Sequence, residues 1–160
     1  MSSNADESFL AELAAALRRV RLEAIVVGNV ASILAGAPVL TQDVDLLVRD
    51  TPPNRRKLIK LAEAIGGVGP ESISELTSTE RIYGAAVPVD ILYDRLIGGL
   101  TFASIRSRAR EERVGRETLV VASLEDVIKS KTAAGRAKDR AALPILNDTL
   151  AVRRALAKKP

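Results

Sequence analysis

The chain has 160 residues, which is long enough for one domain with a hydrophobic core. It contains neither cysteine nor histidine, which excludes disulfides, zinc sites with Cys or His ligands, and catalysis by a Ser-His or Cys-His pair. The formal net charge of +4 permits an anionic partner such as RNA but does not demonstrate one.

No apolar run approaches the roughly 20 residues that a membrane-spanning helix needs, and the N-terminus has no signal-peptide pattern. We therefore expect a cytoplasmic protein with no membrane partner. The chain has only two tyrosines, two phenylalanines and no tryptophan, which argues against a single-strand binder that stacks bases on aromatic rings.

The N-terminal region predicts a polar leader, a helix and a strand. Met1–Asp6 is polar, and we expect it to be disordered. Apolar residues recur at helical spacing through Glu7–Val20, which predicts an amphipathic helix that covers a sheet. Leu22–Val27 is the first predicted strand.

This strand ends at a glycine turn. Gly28 allows a sharp turn or a close approach of another group, and Asn29 is predicted to cap a helix that runs to about Gly36. Where a strand is joined to a helix by a glycine, the amide groups at the N-terminus of the helix are free and can bind a phosphate.

Two acids alternate with apolar residues at the start of the next predicted strand, Asp43–Val48. Because side chains on a strand repeat every two residues, Asp43 and Asp45 share one face, with Cα atoms about 6.5–7 Å apart. Two carboxylates at this spacing repel each other unless a cation lies between them, and oxygen ligands suit Mg²⁺. The alternative is the solvated face of an ordinary strand.

Pro52-Pro53 opens a predicted helix over Asn54–Ile65, whose outer side is basic. A run of charges like this is usually a solvated face, and the alternative is contact with RNA or polyphosphate. The basic residues are Arg55, Arg56, Lys57 and Lys60.

A third acid lies in the next predicted hairpin. Gly66–Pro70 reads as a loop, and Glu75–Tyr83 and Val87–Leu92 read as two strands. Asp90 is flanked by apolar residues, where an unpaired buried carboxylate would cost several kcal/mol. It therefore either pairs with an arginine or provides a third carboxylate to a metal site.

The C-terminal third predicts mostly helices. Leu100–Glu112 is a candidate helix and Val114–Val121 a candidate hairpin around Gly115. Ser123 begins a helix that runs to about Gly135, and a last helix reaches about Ala157.

The glycine turn, the Asp-x-Asp pair and the later aspartate together resemble the nucleotidyltransferase superfamily, the DNA polymerase β-like fold. The residues that carry this resemblance are Gly28, Asn29, Asp43, Asp45 and Asp90. The resemblance implies an α/β fold in which residues 1–160 form one domain, with a mixed, twisted sheet and packed helices.

Within that superfamily the chain is most similar to small AbiEii-type nucleotidyltransferases, many of which are toxins of toxin–antitoxin pairs. Ile25–Val48 and Ser123–Leu146 carry most of this likeness. In the second region the matching residues are Ser123, Leu124, Glu125, Asp126, Lys131, Arg136, Lys138 and Asp139.

The resemblance implies transfer of a nucleotide from a nucleoside triphosphate, such as ATP, to a hydroxyl. Asp43, Asp45 and Asp90 would be the catalytic acids and would hold two Mg²⁺ ions. The acceptor would be a tRNA end, another RNA or a protein hydroxyl, and a cognate antitoxin would be a further partner.

Four residues are expected to bind the nucleotide. Gly28 and Asn29 would hold its β- and γ-phosphates, and Lys131 and Arg136 would contact the triphosphate across the cleft. The alternative for Lys131 and Arg136 is a surface ion-pair network, in which Lys138 and Asp139 pair locally.

Two departures from the family pattern favour a different hypothesis, a nucleotidyltransferase-like domain that binds nucleotide, RNA or a partner protein without catalysis. Asn29 stands where the family usually has Gly or Ser, and Ala141-Ala142 stands where it often has an acid. The intact trio of acids opposes this hypothesis. A weaker third hypothesis is a metal-binding scaffold that takes no nucleotide.

Overall fold

A computed structural model describes residues 3–159 of the chain. Within this range the helices are Ser3–Val20 (α1), Gly28–Leu34 (α2), Pro52–Ala64 (α3), Phe102–Arg108 (α4), Leu124–Ala134 (α5) and Ala137–Ala157 (α6). The strands are Ile25–Val27 (β1), Val44–Val48 (β2), Val68–Ser72 (β3), Glu80–Tyr83 (β4), Val89–Tyr93 (β5), Arg95–Leu96 (β6), Leu100–Thr101 (β7), Arg110–Val114 (β8) and Glu117–Val121 (β9).

Seven of these strands form one mixed sheet in the order β3-β4-β5-β2-β1-β9-β8. β2 runs parallel to β5 and β1 runs parallel to β9, whereas the other neighbours in the sheet are antiparallel. β6 and β7 form a separate two-stranded ribbon. The predicted α/β fold with a mixed sheet is confirmed.

The core is built from aliphatic side chains on the central strands and the helices that cover them. β1 is buried along its whole length, and Leu46, Leu47 and Ile91 of β2 and β5 have no exposed surface. Leu13 of α1 and Leu58 of α3 are equally buried. Burying each such side chain contributes roughly 1.5–3 kcal/mol, so the central strands are the most strongly held part of the fold.

Helix α1 packs against α3, β8 and β9, whereas α2 packs against β1, β2 and α5. No helix in residues 3–159 is long and apolar enough to cross a membrane.

Helix α1 begins four residues earlier than predicted. Ser3–Asp6, assigned from sequence to a disordered leader, belongs to this helix, while Met1 and Ser2 lie outside the described residues. Asp6 lies in the first turn of α1, where a negative charge interacts favourably with the helix dipole.

The predicted helix over Leu100–Glu112 is wrong in its second half. Helix α4 ends at Arg108, and Arg110–Val114 forms strand β8. β8 pairs with β9 along its whole length through a turn at Gly115, which has a φ of +63°. Backbone pairing across this hairpin therefore outweighs the helical spacing of the sequence.

The hairpin before β5 also differs from the prediction. Val68–Ser72, expected to lie mostly in a loop, forms edge strand β3 and pairs with β4. β4 begins at Glu80 rather than Glu75, so residues 73–79 form a loop between the two strands.

Loss of the Ser123 cap should destabilise the protein. The hydroxyl of Ser123 accepts a hydrogen bond from the Asp126 amide at 3.1 Å, as the sequence predicted for this helix start. We expect Ser123→Ala to lower the free energy of unfolding by about 1 kcal/mol in urea titrations, because an amide at the helix N-terminus loses its partner. Ser123→Asp keeps a hydrogen-bond acceptor, so its free energy of unfolding should stay close to that of wild type. An equal loss of stability in both variants would contradict the capping role.

Candidate functional site

The pairing of β2 with β5 brings the three predicted acids together. These strands are parallel, with Asp45 directly beside Asp90, and Asp43 lies just before β2. One carboxylate oxygen from each of the three aspartates lies within 4.8 Å of the others. The spacing of Asp43 and Asp45 predicted a shared face, and strand pairing adds Asp90 to the same cluster.

Gly28 is required by the close approach of Asp45. β1 pairs with β2 so that Val27 lies opposite Asp45, and Gly28 follows with a φ of +66°. A Cβ at Gly28 would overlap Oδ2 of Asp45 and would lie 3.2 Å from its Cγ. The residue therefore has two reasons to be glycine, its backbone conformation and the carboxylate beside it.

The predicted capping role of Asn29 is wrong. Helix α2 begins at Gly28, the N-cap position is Val27, and no side chain caps this end of the helix. Because Asn29 already lies in the first turn, its side chain points elsewhere and donates a hydrogen bond to the Leu40 carbonyl at 3.3 Å. The residue thereby links α2 to the loop that leads into β2.

Arg81 was not singled out from the sequence, yet it contacts two of the three acids. Its Nε donates to Oδ1 of Asp90 at 2.5 Å and its Nη2 to Oδ2 of Asp90 at 2.9 Å. Nη2 also donates to Oδ2 of Asp43 at 3.2 Å. The two roles considered for Asp90 are therefore not exclusive, because it belongs to the acid cluster and also pairs with an arginine.

Asp45 is the acid whose charge is least compensated. Burial raises the pKa of Asp45 to about 7, and the negative charges of Asp43 and Asp90 add to this rise. Lys131 and Lys138 oppose it from across the cavity. Three carboxylates in one cluster form an all-oxygen donor set that fits Mg²⁺.

The seven residues predicted for the site line one cavity of about 640 Å³. They are Gly28, Asn29, Asp43, Asp45, Asp90, Lys131 and Arg136. Residues of the loop between β3 and β4, among them Ile73 and Thr77, form another part of its wall.

Lys131 and Arg136 both line this cavity, but they differ in their burial and in their ion pairs. The Lys131 side chain is 15% exposed, and burial lowers the pKa of its ammonium group. Its Nζ lies 3.8 Å from Oδ1 of Asp139, which is almost fully buried. Arg136 donates from Nε to Oδ2 of Asp139 at 2.7 Å, so its guanidinium is already bound within the protein.

The local pair between Lys138 and Asp139, considered from the sequence as part of an alternative ion-pair network, does not form. Asp139 instead pairs with Arg136 and Lys131. Lys138 lines the cavity, and its charge acts on Asp45. The sequence contained a signal for this role, because Lys138 belongs to the same Arg-x-Lys-Asp element as Arg136.

Some residues of the basic face predicted on α3 make contacts with other residues of the protein. Arg55 binds Asp50 and Glu80 and lies over the ring of Tyr93, with its Cζ 3.9 Å from the ring centroid. Lys57 donates to the Arg21 carbonyl at 2.8 Å. The two acids neutralise the charge of Arg55, and the bond to the carbonyl holds Lys57 in place, so this face offers less free positive charge to an anionic partner.

A second cleft of about 650 Å³ lies between α1 and β9. Its acids, Glu23 and Glu117, are paired with arginines, so it contains no acid cluster comparable to that of the first cavity.

Comparison with solved structures identifies the fold. The solution structure of the antibiotic-resistance factor ANT(2'')-Ia matches with a TM-score of 0.65 at 14% identity, over 98% of this chain and 93% of that one. Its crystal structure with adenylyl-2''-tobramycin matches with a TM-score of 0.66 at 14% identity, over 96% and 94%. A proposed nucleotidyltransferase from Thermotoga maritima gives a TM-score of 0.64 at 16% identity, over 99% and 97%.

The chain has a nucleotidyltransferase-like fold. No family model and no curated protein matches its sequence. The likeness therefore lies in the path of the backbone, and the residues of the cavity determine what chemistry the site can support.

Replacing Asp45 should stabilise the metal-free protein at high pH. The folded state binds the Asp45 proton more tightly than the unfolded state, so stability falls as the pH rises from about 4 to about 7 and stays low above that. In buffer that contains a metal chelator, we expect the melting temperature of Asp45→Asn to be at least about 2–4 °C above that of wild type near pH 8. The difference should be smaller near pH 5. An equal or lower melting temperature near pH 8 would show that Asp45 carries no such penalty.

Replacing Gly28 by alanine should lower the free energy of unfolding more than the same substitution at a glycine that has open space around it. Gly66 is the matched control, because it has a φ of +77° and nothing within 4 Å of an added Cβ. Gly66→Ala should lower the free energy of unfolding by about 1–2 kcal/mol through backbone strain alone. Gly28→Ala should cost more, since Asp45 must also move, and equal losses in urea titrations would contradict the close contact with Asp45.

Proposed function

We propose that this protein is a Mg²⁺-dependent nucleotidyltransferase, which transfers a nucleoside monophosphate from a nucleoside triphosphate to an acceptor hydroxyl. The observation that carries the proposal is the clustering of Asp43, Asp45 and Asp90, with carboxylate oxygens within 4.8 Å, on the wall of a cavity in a nucleotidyltransferase-like fold. We assign the metal ligands to these three residues and propose two ions.

In the proposed reaction the acceptor oxygen forms a bond to the α-phosphorus, and the bond from the α-phosphorus to pyrophosphate breaks. Pyrophosphate leaves with the electron pair of that bond, and the acceptor loses a proton. Bound Mg²⁺ would supply charge stabilisation for the triphosphate and the departing pyrophosphate.

Asp90 is the proposed acceptor of that proton. Both of its oxygens accept hydrogen bonds from Arg81, so taking up a proton requires at least one of these bonds to lengthen. Asp90 would thus be both a metal ligand and the proton acceptor, whereas Asp43 and Asp45 would act as metal ligands alone.

Positive charge across the cavity supports a triphosphate at this site. Lys131 and Lys138 are close enough to lower the pKa of Asp45, so they also lie within electrostatic reach of phosphates bound beside it. Gly28 and Asn29, at the start of α2, line the same cavity. A volume of about 640 Å³ lies within the usual range of small-molecule sites.

The candidate acceptors come from the sequence likeness and from one solved structure of the same fold. The sequence likeness to AbiEii-type proteins supports an RNA, a tRNA end or a protein hydroxyl, together with a cytoplasmic toxin role and a cognate antitoxin. The structure of ANT(2'')-Ia with adenylyl-2''-tobramycin adds an aminoglycoside hydroxyl as a further candidate. The net charge of +4 favours an anionic acceptor over a cationic aminoglycoside.

A second candidate function is binding without turnover. Arg81 already occupies oxygens of two of the three acids, and the side-chain amide of Asn29 is bound to the Leu40 carbonyl. Both contacts favour a nucleotidyltransferase-like domain that holds nucleotide or RNA without catalysing transfer.

Label transfer separates these functions. Purified protein is incubated with Mg²⁺ and each nucleoside triphosphate in turn, labelled at its α-phosphate, with total RNA, tobramycin or the protein itself as acceptor. We expect transfer that Asp45→Asn abolishes, because the proposed metal site loses a charged ligand. Asp148→Asn is the matched control, since Asp148 is an exposed acid on α6 outside the cavity.

Transfer in wild type and Asp148→Asn but not in Asp45→Asn would support the enzyme. Mg²⁺-dependent triphosphate binding without transfer, lost in Asp45→Asn, would favour the binding domain. Absence of both transfer and binding would contradict both candidates.

A further inference from the structure

Arg81 lies where its guanidinium group meets the acid cluster directly. β4 runs antiparallel to β5, and Arg81 is paired with Asp90 across the two strands. Because residues paired in this way project to the same face of a sheet, the arginine side chain starts beside the carboxylate that it binds.

The contact uses the fork geometry of arginine. Nε and Nη2 donate to the two separate oxygens of Asp90 at 2.5 and 2.9 Å, and Nη2 also donates to Asp43 at 3.2 Å. The side chains of Arg81 and Asp90 are 28% and 13% exposed. This pair is therefore more sheltered than a surface salt bridge, and two of its hydrogen bonds are charge-assisted and parallel.

A metal ion and this guanidinium would need the same oxygens. Mg²⁺ binds carboxylate oxygens at about 2.0–2.1 Å, so an ion shared by the three acids would lie within a few ångströms of the Arg81 charge. Two cations at that distance repel each other strongly where water is partly excluded. Asp45 is the acid that Arg81 does not contact.

We propose that Arg81 is an internal cation that competes with the metal ion for Asp43 and Asp90. Without metal, the guanidinium holds these two carboxylates together and neutralises part of their charge. Metal binding displaces it from Asp43, and this displacement lowers the affinity of the site for metal. The inference rests on the proposed metal site and adds a residue that sets how readily that site is loaded.

Competition predicts that removing the guanidinium strengthens metal binding. Arg81→Gln removes the charge, whereas Arg81→Lys keeps a charge but loses the planar fork that binds both oxygens of Asp90. Arg113→Gln is the matched control for the change in net charge, because Arg113 is an exposed residue on edge strand β8 and does not line the cavity.

The experiment measures the dissociation constant of Mn²⁺ in the absence of nucleotide. Calorimetry measures the heat of binding, and electron paramagnetic resonance measures the signal of the unbound ion. We expect Arg81→Gln to bind Mn²⁺ about tenfold more tightly than wild type, since a charge-assisted contact no longer competes with the ion. Arg81→Lys should show a smaller gain, and Arg113→Gln should match wild type.

Unchanged or weaker Mn²⁺ binding by Arg81→Gln would overturn the inference, because the guanidinium would then position the acids without competing for them. Circular dichroism checks that each variant folds. If Arg81→Gln does not fold, Arg81→Lys decides alone, with tighter binding in support and equal or weaker binding against.

The outcome is separate from that of the proposed function. Tighter Mn²⁺ binding by Arg81→Gln in a protein that transfers no label would support the inference and contradict the enzyme. Absence of Mn²⁺ binding in both wild type and Arg81→Gln would contradict this inference and the proposed metal site together.

Discussion

The parallel pairing of β2 with β5 is the constraint on which the candidate site depends. It places Asp45 beside Asp90, while Leu46, Leu47 and Ile91 of the same two strands are buried in the core. A slip of one residue would turn Asp45 toward the face on which Leu46 and Ile91 are buried, which the core would strongly resist. The hydrophobic core therefore fixes the position of a polar site.

Bringing three carboxylates together costs free energy, and cations from three different elements offset that cost. Arg81 contributes from β4, Lys131 from α5 and Lys138 from α6. The compensation is uneven, because Arg81 binds Asp43 and Asp90 but not Asp45, and burial raises the pKa of Asp45 to about 7. Asp45 is thus the acid of the cluster whose negative charge a bound cation would stabilise most.

Sequence reasoning succeeded where the evidence was local. The two-residue repeat placed Asp43 and Asp45 on one face, and the apolar flanks of Asp90 showed that it needed a partner. The partner itself could not be read from the sequence, because the register between β4 and β5 depends on a turn whose bounds were not predicted correctly. Strand β3 was missed for a related reason, since its Gly69 and Pro70 indicate a loop and only pairing with β4 makes them a strand.

The loop of residues 73–79 joins an edge strand to its neighbour and reaches the cavity through Ile73 and Thr77. It lies outside the buried core, whereas the acids are carried by β2 and β5 at the centre of the sheet. Substitutions or insertions in this loop can therefore reshape one wall of the cavity at little cost to folding. The architecture thus separates the shape of one cavity wall from the position of the acid cluster, so that a change in the loop need not displace the acids.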